Sequence, residues 1–193
     1  MHASPREAHA TGARGRLDLR SGLLGLIGLS AILASGGASA QSGEIRALLD
    51  ERALIRIVDG IDNAVDAKDW GRARSYFAER IGVDFTSLVG GEPATITAQQ
   101  LIEGWASNLK PSKTSLHLRT NHAVTLDGDR ATVTSHGYAW NRMEGNGDPL
   151  WEVWGTYEHR LARTADGWVV TAMTFRKTHE RGNEWVKTTV PAE

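Results

Sequence analysis

One run of the sequence places side chains that could do chemistry at a regular spacing. Apolar residues in this run share one parity, namely Leu116, Leu118, Val124 and Leu126, and polar residues share the other, namely Ser115, His117, Arg119 and Asn121. A period of two is typical of a strand with one apolar face and one polar face. Such a polar face is either turned to water or forms the floor of a pocket. In a pocket, an imidazole that titrates near neutral pH could transfer protons.

The other histidines give weaker indications of a site. His117 and His122 are five residues apart, so on a regular strand they point to opposite faces and cannot share a metal ion. His136 and His159 are isolated. The sequence has no cysteine and no tight cluster of metal-ligating types, so we expect no metal site. It also has no glycine loop of the kind that cradles phosphate, and we expect no cofactor.

The elements that must position these residues can be read from the alternation after Lys113. Four alternating runs cover residues 114–126, 130–143, 150–163 and 168–179. Asp127-Gly128 and Asp166-Gly167 lie between runs and are strong hairpin signals. A cluster of glycine, asparagine, aspartate and proline at 145–149 marks the middle turn. The four runs therefore predict an antiparallel meander.

Three helices are predicted before this meander. The first has an apolar stripe made of Leu54, Val58, Ile61 and Val65. Asp69 has the type and position of an N-cap for the second, whose apolar face would hold Trp70, Ala73 and Phe77. Thr97 and Gln100 form a capping box for the third, which should end near Leu109 because Pro111 cannot continue it. Between the second and third helices, residues 83–88 predict a short strand and residues 89–94 a loop.

This order of elements predicts an α+β fold. We expect a cone-shaped α+β barrel, in which three N-terminal helices pack on a strongly curved, mainly antiparallel sheet. The space between the helices and the concave face of the sheet would be a pocket. About 150 residues are enough to bury a proper core without disulfides.

The first forty of the 193 residues have the pattern of a secretory signal peptide. Arg14, Arg16 and Arg20 precede an apolar segment at 23–33, and Ala38-Ser39-Ala40 offers a cleavage site. We therefore expect a signal peptide at 1–40 and one domain at 41–193, with an uncleaved anchor or a disordered tail as the alternative to the signal peptide. Export without cysteine favours a secreted protein, most simply in a bacterial periplasm. The mature part has 18 Lys and Arg against 21 Asp and Glu, which argues against a nucleic-acid partner, and after cleavage no membrane contact is expected.

Several short motifs together indicate a family. They are Asp66-Ala67-Lys68-Asp69-Trp70, Asp84-Phe85, His117 with Asn121, Gly155-Thr156-Tyr157 and Asp166-Gly167-Trp168. With these motifs the chain resembles the SnoaL-like branch of the nuclear transport factor 2-like superfamily, and within it the scytalone dehydratase-type group. The resemblance covers roughly residues 44–180 and implies the same cone fold. That fold hosts dehydratases, isomerases, cyclases, epoxide hydrolases and non-catalytic binders.

The resemblance also implies a catalytic pair, Asp66 and His117. In the group's dehydratases the histidine moves a proton and the aspartate orients its ring. This division of roles is physically sound, because a carboxylate on the far ring nitrogen fixes the tautomer and increases basicity. The alternative is that Asp66 is a solvated acid at a helix end and His117 a strand histidine with an ordinary hydrogen-bond partner.

Three positions depart from the group's pattern. Val65 and Phe85 stand where the group's dehydratase has tyrosines that hold a water on the substrate carbonyl, and Asn141 stands where it has a second histidine. The base is thus kept, while the groups that polarise a carbonyl are missing or rebuilt. Candidates for rebuilding them are Arg119, Asn141, Glu158 and Arg176.

The same resemblance suggests the walls of the pocket. We expect Phe85, Trp105, Asn141, Trp154 and Glu158 to bind the substrate. A pocket with aromatic walls favours a small, flat, cyclic and mostly apolar ligand.

Two functions fit this reading of the sequence. The first is an exported lyase or isomerase that acts by proton transfer, and the second is a non-catalytic ligand-binding or accessory protein. We also expect a homodimer, as is common in the superfamily, because the apolar face of the strand at 115–126 needs cover.

Overall fold

The computed structural model describes residues 23–192, with side chains from residue 40 onward. The chain divides into two units, Met1–Ile45 and Arg46–Glu193. In the first unit, residues 23–45 belong to the helix that begins at Leu23. The basic residues Arg14, Arg16 and Arg20 lie outside the described residues, so the predicted signal peptide and its boundary stay predictions. Within residues 23–192, no helix combines the length and apolar character needed to cross a membrane.

The described residues form five helices and six strands. The helices are α1 (Leu23–Asp66), α2 (Trp70–Ser75), α3 (Thr86–Val89), α4 (Ala98–Asn108) and α5 (Glu184–Thr188). The strands are β1 (Phe77–Asp84), β2 (Ala94–Thr97), β3 (Thr114–Asp127), β4 (Arg130–Arg142), β5 (Leu150–Thr164) and β6 (Gly167–Gly182). They make one sheet in the order β2-β1-β6-β5-β4-β3, which is open because β2 and β3 are its edges. All neighbouring strands are antiparallel except β1 and β6. The predicted α+β class, with a mainly antiparallel sheet, is confirmed.

The apolar stripe of α1 packs against the sheet as its spacing predicts. Leu54, Val58 and Ile61 are fully buried, and Val65 is 5% exposed. They belong to a core cluster that also contains residues from β1, β4, β5 and β6. Full burial of such side chains contributes roughly 1.5–3 kcal/mol each. This stripe therefore fixes which face of α1 meets the sheet, and with it the direction of the helix's polar side chains.

Helix α4 has the capping box that the sequence predicts. The Thr97 hydroxyl accepts a hydrogen bond from Gln100 N (3.1 Å), and the Gln100 side chain accepts one from Thr97 N (2.9 Å). The helix ends at Asn108, three residues before Pro111. The capping box fixes where α4 begins, and the buried residues Leu101 and Ile102 pack the helix against the core.

The segment between α2 and α4 differs from the prediction. Helix α2 ends at Ser75, so Phe77 begins a strand instead of sharing a helical face with Trp70 and Ala73. The predicted strand at 83–88 is replaced by the end of β1 and the short helix α3, because Asp84 Oδ1 accepts hydrogen bonds from the backbone and hydroxyl of Thr86 and turns the chain. Part of the predicted loop is the edge strand β2. Sheet pairing with β6, which is distant in the sequence, decides where β1 begins.

Strand β3 contains a β-bulge, so its polar and apolar side chains do not keep to the same two faces along the whole strand. Asn121 has φ 54, and the pairing with β4 shifts between Thr120 and Ala123. The extra residue reverses the parity. As a result Leu116 (36% exposed) and Leu118 (53%) lie on the outer face, while Val124 and Leu126 pack on the core. The prediction that these four residues share one face is wrong, and only Leu116 and Leu118 remain in support of the predicted dimer.

Candidate functional site

Three contacts between an aspartate and a basic side chain join α1 to β3 in a row. Asp59, Asp62 and Asp66 are spaced by three and four residues, which places them on one face of the helix. Their partners on β3 follow in reverse order: His122 (2.9 Å), Arg119 (2.5 Å) and His117 (2.7 Å). The bulge explains why His122 takes part. It turns His122 to the same side as His117, so the expectation that these two histidines face opposite ways is wrong.

Asp66 and His117 are held together by more than one bond. Asp66 Oδ1 lies 2.7 Å from His117 Nδ1, and Asp66 Oδ2 accepts a 2.7 Å hydrogen bond from the His117 backbone N–H. The Ser115 hydroxyl donates to Asp66 Oδ1 at 2.8 Å. Burial raises the pKa of Asp66, but the hydrogen bonds and charge of His117 and the bond from Ser115 outweigh it, and the pKa is lowered overall. An ionised Asp66 fixes the proton on Nδ1, so Nε2 is the basic atom of His117.

Arg119 makes a buried, bidentate ion pair with Asp62. Its Nε and Nη2 donate to the two carboxylate oxygens at 2.5 and 2.7 Å. The Arg119 side chain is 1% exposed, and its guanidinium carbon lies 3.7 Å from the centre of the Tyr157 ring. The remaining nitrogen, Nη1, has no hydrogen-bond partner in the part of the chain that the structure describes. Arg119 therefore has one nitrogen, with two N–H groups, left to donate to a ligand.

Tyr157 lies beneath this guanidinium because the neighbouring strand makes room for its ring. A Cβ at Gly137 would lie 2.4 Å from a ring carbon of Tyr157, so the absence of a side chain at Gly137 is required. Burial raises the pKa of Tyr157 to about 12. The phenol therefore stays protonated near neutral pH and can donate a hydrogen bond.

These side chains line a cavity of about 370 Å³ between the helices and the sheet. Its walls are mostly apolar and include Ile61, Val65, Leu88, Val153, Met173 and Phe175. His117, Arg119 and Tyr157 also line it, together with Phe85, Trp105 and Asn141 from the expected substrate-binding set. The volume is within the range of small-molecule sites. The structure thus brings His117 and three of the five expected wall residues to one cavity, and Asp66 contacts His117 from α1 without lining the cavity itself.

Trp154 and Glu158 do not line this cavity, which corrects the prediction for these two residues. Strand β5 turns Trp151, Val153 and Tyr157 inward, so residues of the other parity face outward. Trp154 packs between Tyr138 and His179, with ring centres 5.0 and 5.3 Å apart. Glu158 forms a surface ion pair.

The same geometry reduces the candidates for the group that polarises a carbonyl. Arg176 is bound to Asp84 at 2.6 Å and does not line the cavity, and neither does Glu158. Arg119 and Asn141 remain of the four candidates.

Among the cavity-lining residues that sequence reasoning missed, three lie beside or between the predicted site residues: Asp62, Trp151 and Tyr157. Asp62 stands four positions before Asp66 on the same helical face, which was an available signal. Tyr157 was part of a family motif but was given no role. Trp151 could be assigned only once the register of β5 was known, because both faces of that strand carry large residues.

A further buried histidine lies beside the site without joining it. His159 is fully buried, and neither ring nitrogen has a partner within residues 23–192. Burial and the nearby Arg119 lower its pKa well below the usual value, so it is a neutral packing residue against Tyr157. In the described residues, no group of three or more His, Asp or Glu side chains is arranged to hold a metal ion.

Lys113 anchors the C-terminal segment next to the cavity. It is fully buried and donates to Asn108 Oδ1 (3.0 Å), Thr189 O (2.9 Å) and Lys187 O (3.4 Å). All three acceptors are uncharged, and Lys113 has no carboxylate partner in the described residues. Burial lowers the pKa of Lys113 to about 8.

This pKa gives a pH dependence with a definite sign. Above about pH 8 the folded protein releases a proton that the unfolded chain keeps up to its pKa of 10.5, so stability rises with pH in this window. Raising the pH from about 7 to about 10 should therefore stabilise the parent protein by up to about 3 kcal/mol relative to Lys113→Met. Urea unfolding of both proteins measures this difference. Parallel pH profiles would contradict the assignment.

Comparison with known proteins places this fold in a family. Residues 46–174 match the SnoaL-like domain. The chain therefore belongs to the SnoaL-like domain family, and its structural neighbours have the nuclear transport factor 2-like fold, which confirms the resemblance stated above. No curated protein gives a significant match.

Solved structures with the same fold include proteins of different names. The Kfla4162 protein from Kribbella flavida has a TM-score of 0.70 at 24% identity, covering 74% of this chain and 99% of that one. A provisionally assigned scytalone dehydratase from Novosphingobium aromaticivorans has a TM-score of 0.61 at 18% identity, covering 71% and 89%. A hexachlorocyclohexane dehydrochlorinase, LinA type 2, has a TM-score of 0.62 at 12% identity, covering 72% and 91%. At these identities the likeness establishes the fold alone.

Proposed function

We propose that this protein is a cofactor-independent lyase or isomerase that removes a proton from carbon in a small, cyclic, mostly apolar substrate. The observation that carries the proposal is that His117, which lines an apolar cavity, is bonded at 2.7 Å to Asp66 behind it. His117 Nε2 would take the proton, and Asp66 would stabilise the imidazolium that forms. Two structures with this fold are named for eliminations, a dehydratase and a dehydrochlorinase, which supports a reaction that begins with such a proton transfer.

The negative charge left on the substrate needs a partner. Arg119 follows His117 by two positions on β3, so the two side chains share the inner face about 7 Å apart along the strand. Arg119 Nη1 has no partner among residues 23–192, and the Tyr157 phenol stays protonated. We assign to these two donors the stabilisation of that negative charge, because Val65 and Phe85 have no hydroxyl with which to provide it. Donors fixed before the reaction stabilise developing charge most effectively in a dry site.

A chromogenic carbon acid tests the proposal without knowledge of the natural substrate. In 5-nitrobenzisoxazole a base removes the C3 proton, the N–O bond breaks and a coloured cyanophenolate is released. The purified protein should accelerate this reaction over an equal concentration of free imidazole, because a base desolvated in an apolar cavity is more effective. A rate no greater than that of free imidazole would contradict the proposal.

A second candidate, a non-catalytic binder, is favoured by one observation. Val65 and Phe85 line the cavity and bring no hydroxyl to it, where the related dehydratases are expected to hold a catalytic water. Native mass spectrometry of the freshly purified protein tests this function. A molecule that stays bound and unchanged would support a carrier or accessory role, whereas a vacant cavity would count against it.

We also propose export and self-association. Cleavage after Ala40 and transfer to a periplasm follow from the pattern of the first forty residues. The intact mass of the chain from its native host tests both, since a chain that retains residues 1–40 would contradict them.

A homodimer through the outer face of the sheet would cover Leu116 and Leu118, which are 36% and 53% exposed. A monomeric mass in solution at about 50 µM would contradict the dimer.

A further inference from the structure

The cavity wall carries a buried hydrogen-bond donor that has no acceptor among the described residues. Asn141 and Trp151 are directly paired across β4 and β5, and both line the cavity. Trp151 is 5% exposed, and its indole N–H has no partner among the described residues. A buried donor of this kind is unfavourable unless a ligand accepts a hydrogen bond from it. This unsatisfied donor indicates that the cavity is shaped for a ligand with an acceptor beside Trp151.

Two further donors line the same cavity. Lys113 occupies the carbonyl oxygen of the Asn108 amide, which leaves the NH₂ group of Asn108 as its free polar group. The Lys187 ammonium lies 5.9 Å from the centre of the Trp151 ring, and its side chain also lines the cavity. Donors thus outnumber acceptors among Asn108, Asn141, Trp151 and Lys187, and we call these four residues the donor cluster.

The charges around the donor cluster leave one positive charge uncompensated. Lys187 binds Glu180 at 3.0 Å and Glu184 at 3.6 Å, and Lys177 also binds Glu180. These two ammonium groups and two carboxylates balance. Lys113, which donates to the Lys187 backbone carbonyl, adds a buried charge that has no carboxylate partner in the part of the chain that the structure describes. An anionic group on the ligand would offset it.

We infer that the donor cluster binds a carboxylate of the ligand. Resting on the proposed function, this names the substrate class as a one- or two-ring carboxylic acid whose reacting C–H bond faces His117. Lys187 and Lys113 attract an anion to the donor cluster. The apolar walls of the cavity would hold the ring system.

Two probes that differ in charge test the inference. 2-Naphthoate and its neutral analogue 2-naphthamide have the same ring system, and calorimetric titration gives the affinity of each. The protein should bind the carboxylate about tenfold more tightly, as a desolvated charge-assisted hydrogen bond is about twice as strong as a neutral one. Equal affinities, a preference for the amide, or no binding of either probe would overturn the inference.

Matched substitutions show which residues cause the preference. Lys187→Met should reduce the ratio of the affinities for carboxylate and amide to nearly one. Lys187→Arg should keep most of this ratio, since the positive charge remains. Trp151→Phe should weaken both probes severalfold, whereas Trp154→Phe, the same change on the outer face of β5, should leave both unchanged. A preference that survives in Lys187→Met, or equal losses in the two tryptophan variants, would overturn the assignment of the donor cluster.

The inference and the proposed function can fail separately. Probe binding is measured in the absence of any reaction, so it does not depend on proton transfer by His117. If the parent protein fails to accelerate the benzisoxazole reaction but keeps the preference, the proton-transfer function is wrong and the donor cluster still binds a carboxylate. If the parent protein accelerates the reaction but shows no preference for the carboxylate probe, the assignment of the donor cluster is wrong and the proton-transfer function stands.

Discussion

Replacing Arg119 with methionine is expected to lower the free energy of unfolding by about 3–5 kcal/mol, which would be the largest loss of stability from any single change at the site. The substitution removes a guanidinium that is 1% exposed and leaves the carboxylate of Asp62 buried without its partner. It also removes the contact with the Tyr157 ring. Urea denaturation followed by circular dichroism measures the loss.

A second arginine, on strand β5, that binds the same helix provides the matched control. Arg163 also forms a bidentate pair with an aspartate of α1, Asp50, at 2.9 and 2.6 Å, and also lies over an aromatic ring, Trp168. Its side chain is 23% exposed, so water can solvate the aspartate after Arg163→Met, and the expected cost is about 1 kcal/mol or less. If the two variants lose the same free energy of unfolding, burial does not determine how much the Arg119–Asp62 pair contributes to stability.

The double variant Arg119→Met with Asp62→Leu separates pairing from packing. If most of the loss in Arg119→Met arises from the unpaired Asp62 carboxylate, the double variant should recover a large part of it, because both charges are then absent. Additive losses in the double variant would instead assign the effect to lost packing.

Replacing His117 with alanine is expected to reduce the rate of proton abstraction from 5-nitrobenzisoxazole by about 10²–10⁴-fold. The imidazole is the basic group on the cavity wall, and its Nδ1 is already bonded to Asp66. Asp66→Asn should reduce the rate by about tenfold or more, because an amide cannot stabilise the imidazolium as a carboxylate does. Initial rates at several substrate concentrations distinguish a loss of kcat from weaker binding.

His122 is the matched control for this prediction. It bonds Asp59 at 2.9 Å on the same two elements, but it does not line the cavity. His122→Ala should therefore leave the rate within about twofold of the parent protein. If His117→Ala catalyses proton abstraction at the parent rate, or if the two histidine variants lose the same fraction of that rate, His117 is not the base.

Local patterns in the sequence determined the elements that were predicted well. The α1 stripe from Leu54 to Val65, the Thr97–Gln100 capping box and the hairpin at Asp127-Gly128 each depend on residues within a few positions of one another, and all three are found in the structure. The Asp66–His117 contact is different, since 51 residues separate its partners. It was expected because of the family resemblance, and its catalytic role stays a prediction.

The errors have non-local causes. The start of β1 at Phe77 depends on pairing with Val170, which no local pattern reveals. The positions of Trp154 and Glu158 depend on which face of β5 meets α1, and large side chains of both parities hide that choice. The bulge depends on Asn121, whose φ is positive. Asparagine adopts a positive φ more readily than most residues, but even asparagine does so seldom. Without the bulge, Ser115 to Leu126 fits a simple alternation well.

The bulge at Asn121 also has a consequence for solubility. Strand β3 is an edge of the sheet, and one side of its backbone is therefore open to pairing with a strand of another molecule. Long, regular edges are templates for such strand addition and for aggregation. The bulge divides the open edge into two runs of about six residues and twists one against the other, so an incoming strand cannot stay in register along both. The residue that turns His122 toward α1 thus also protects the exposed edge from edge-to-edge association.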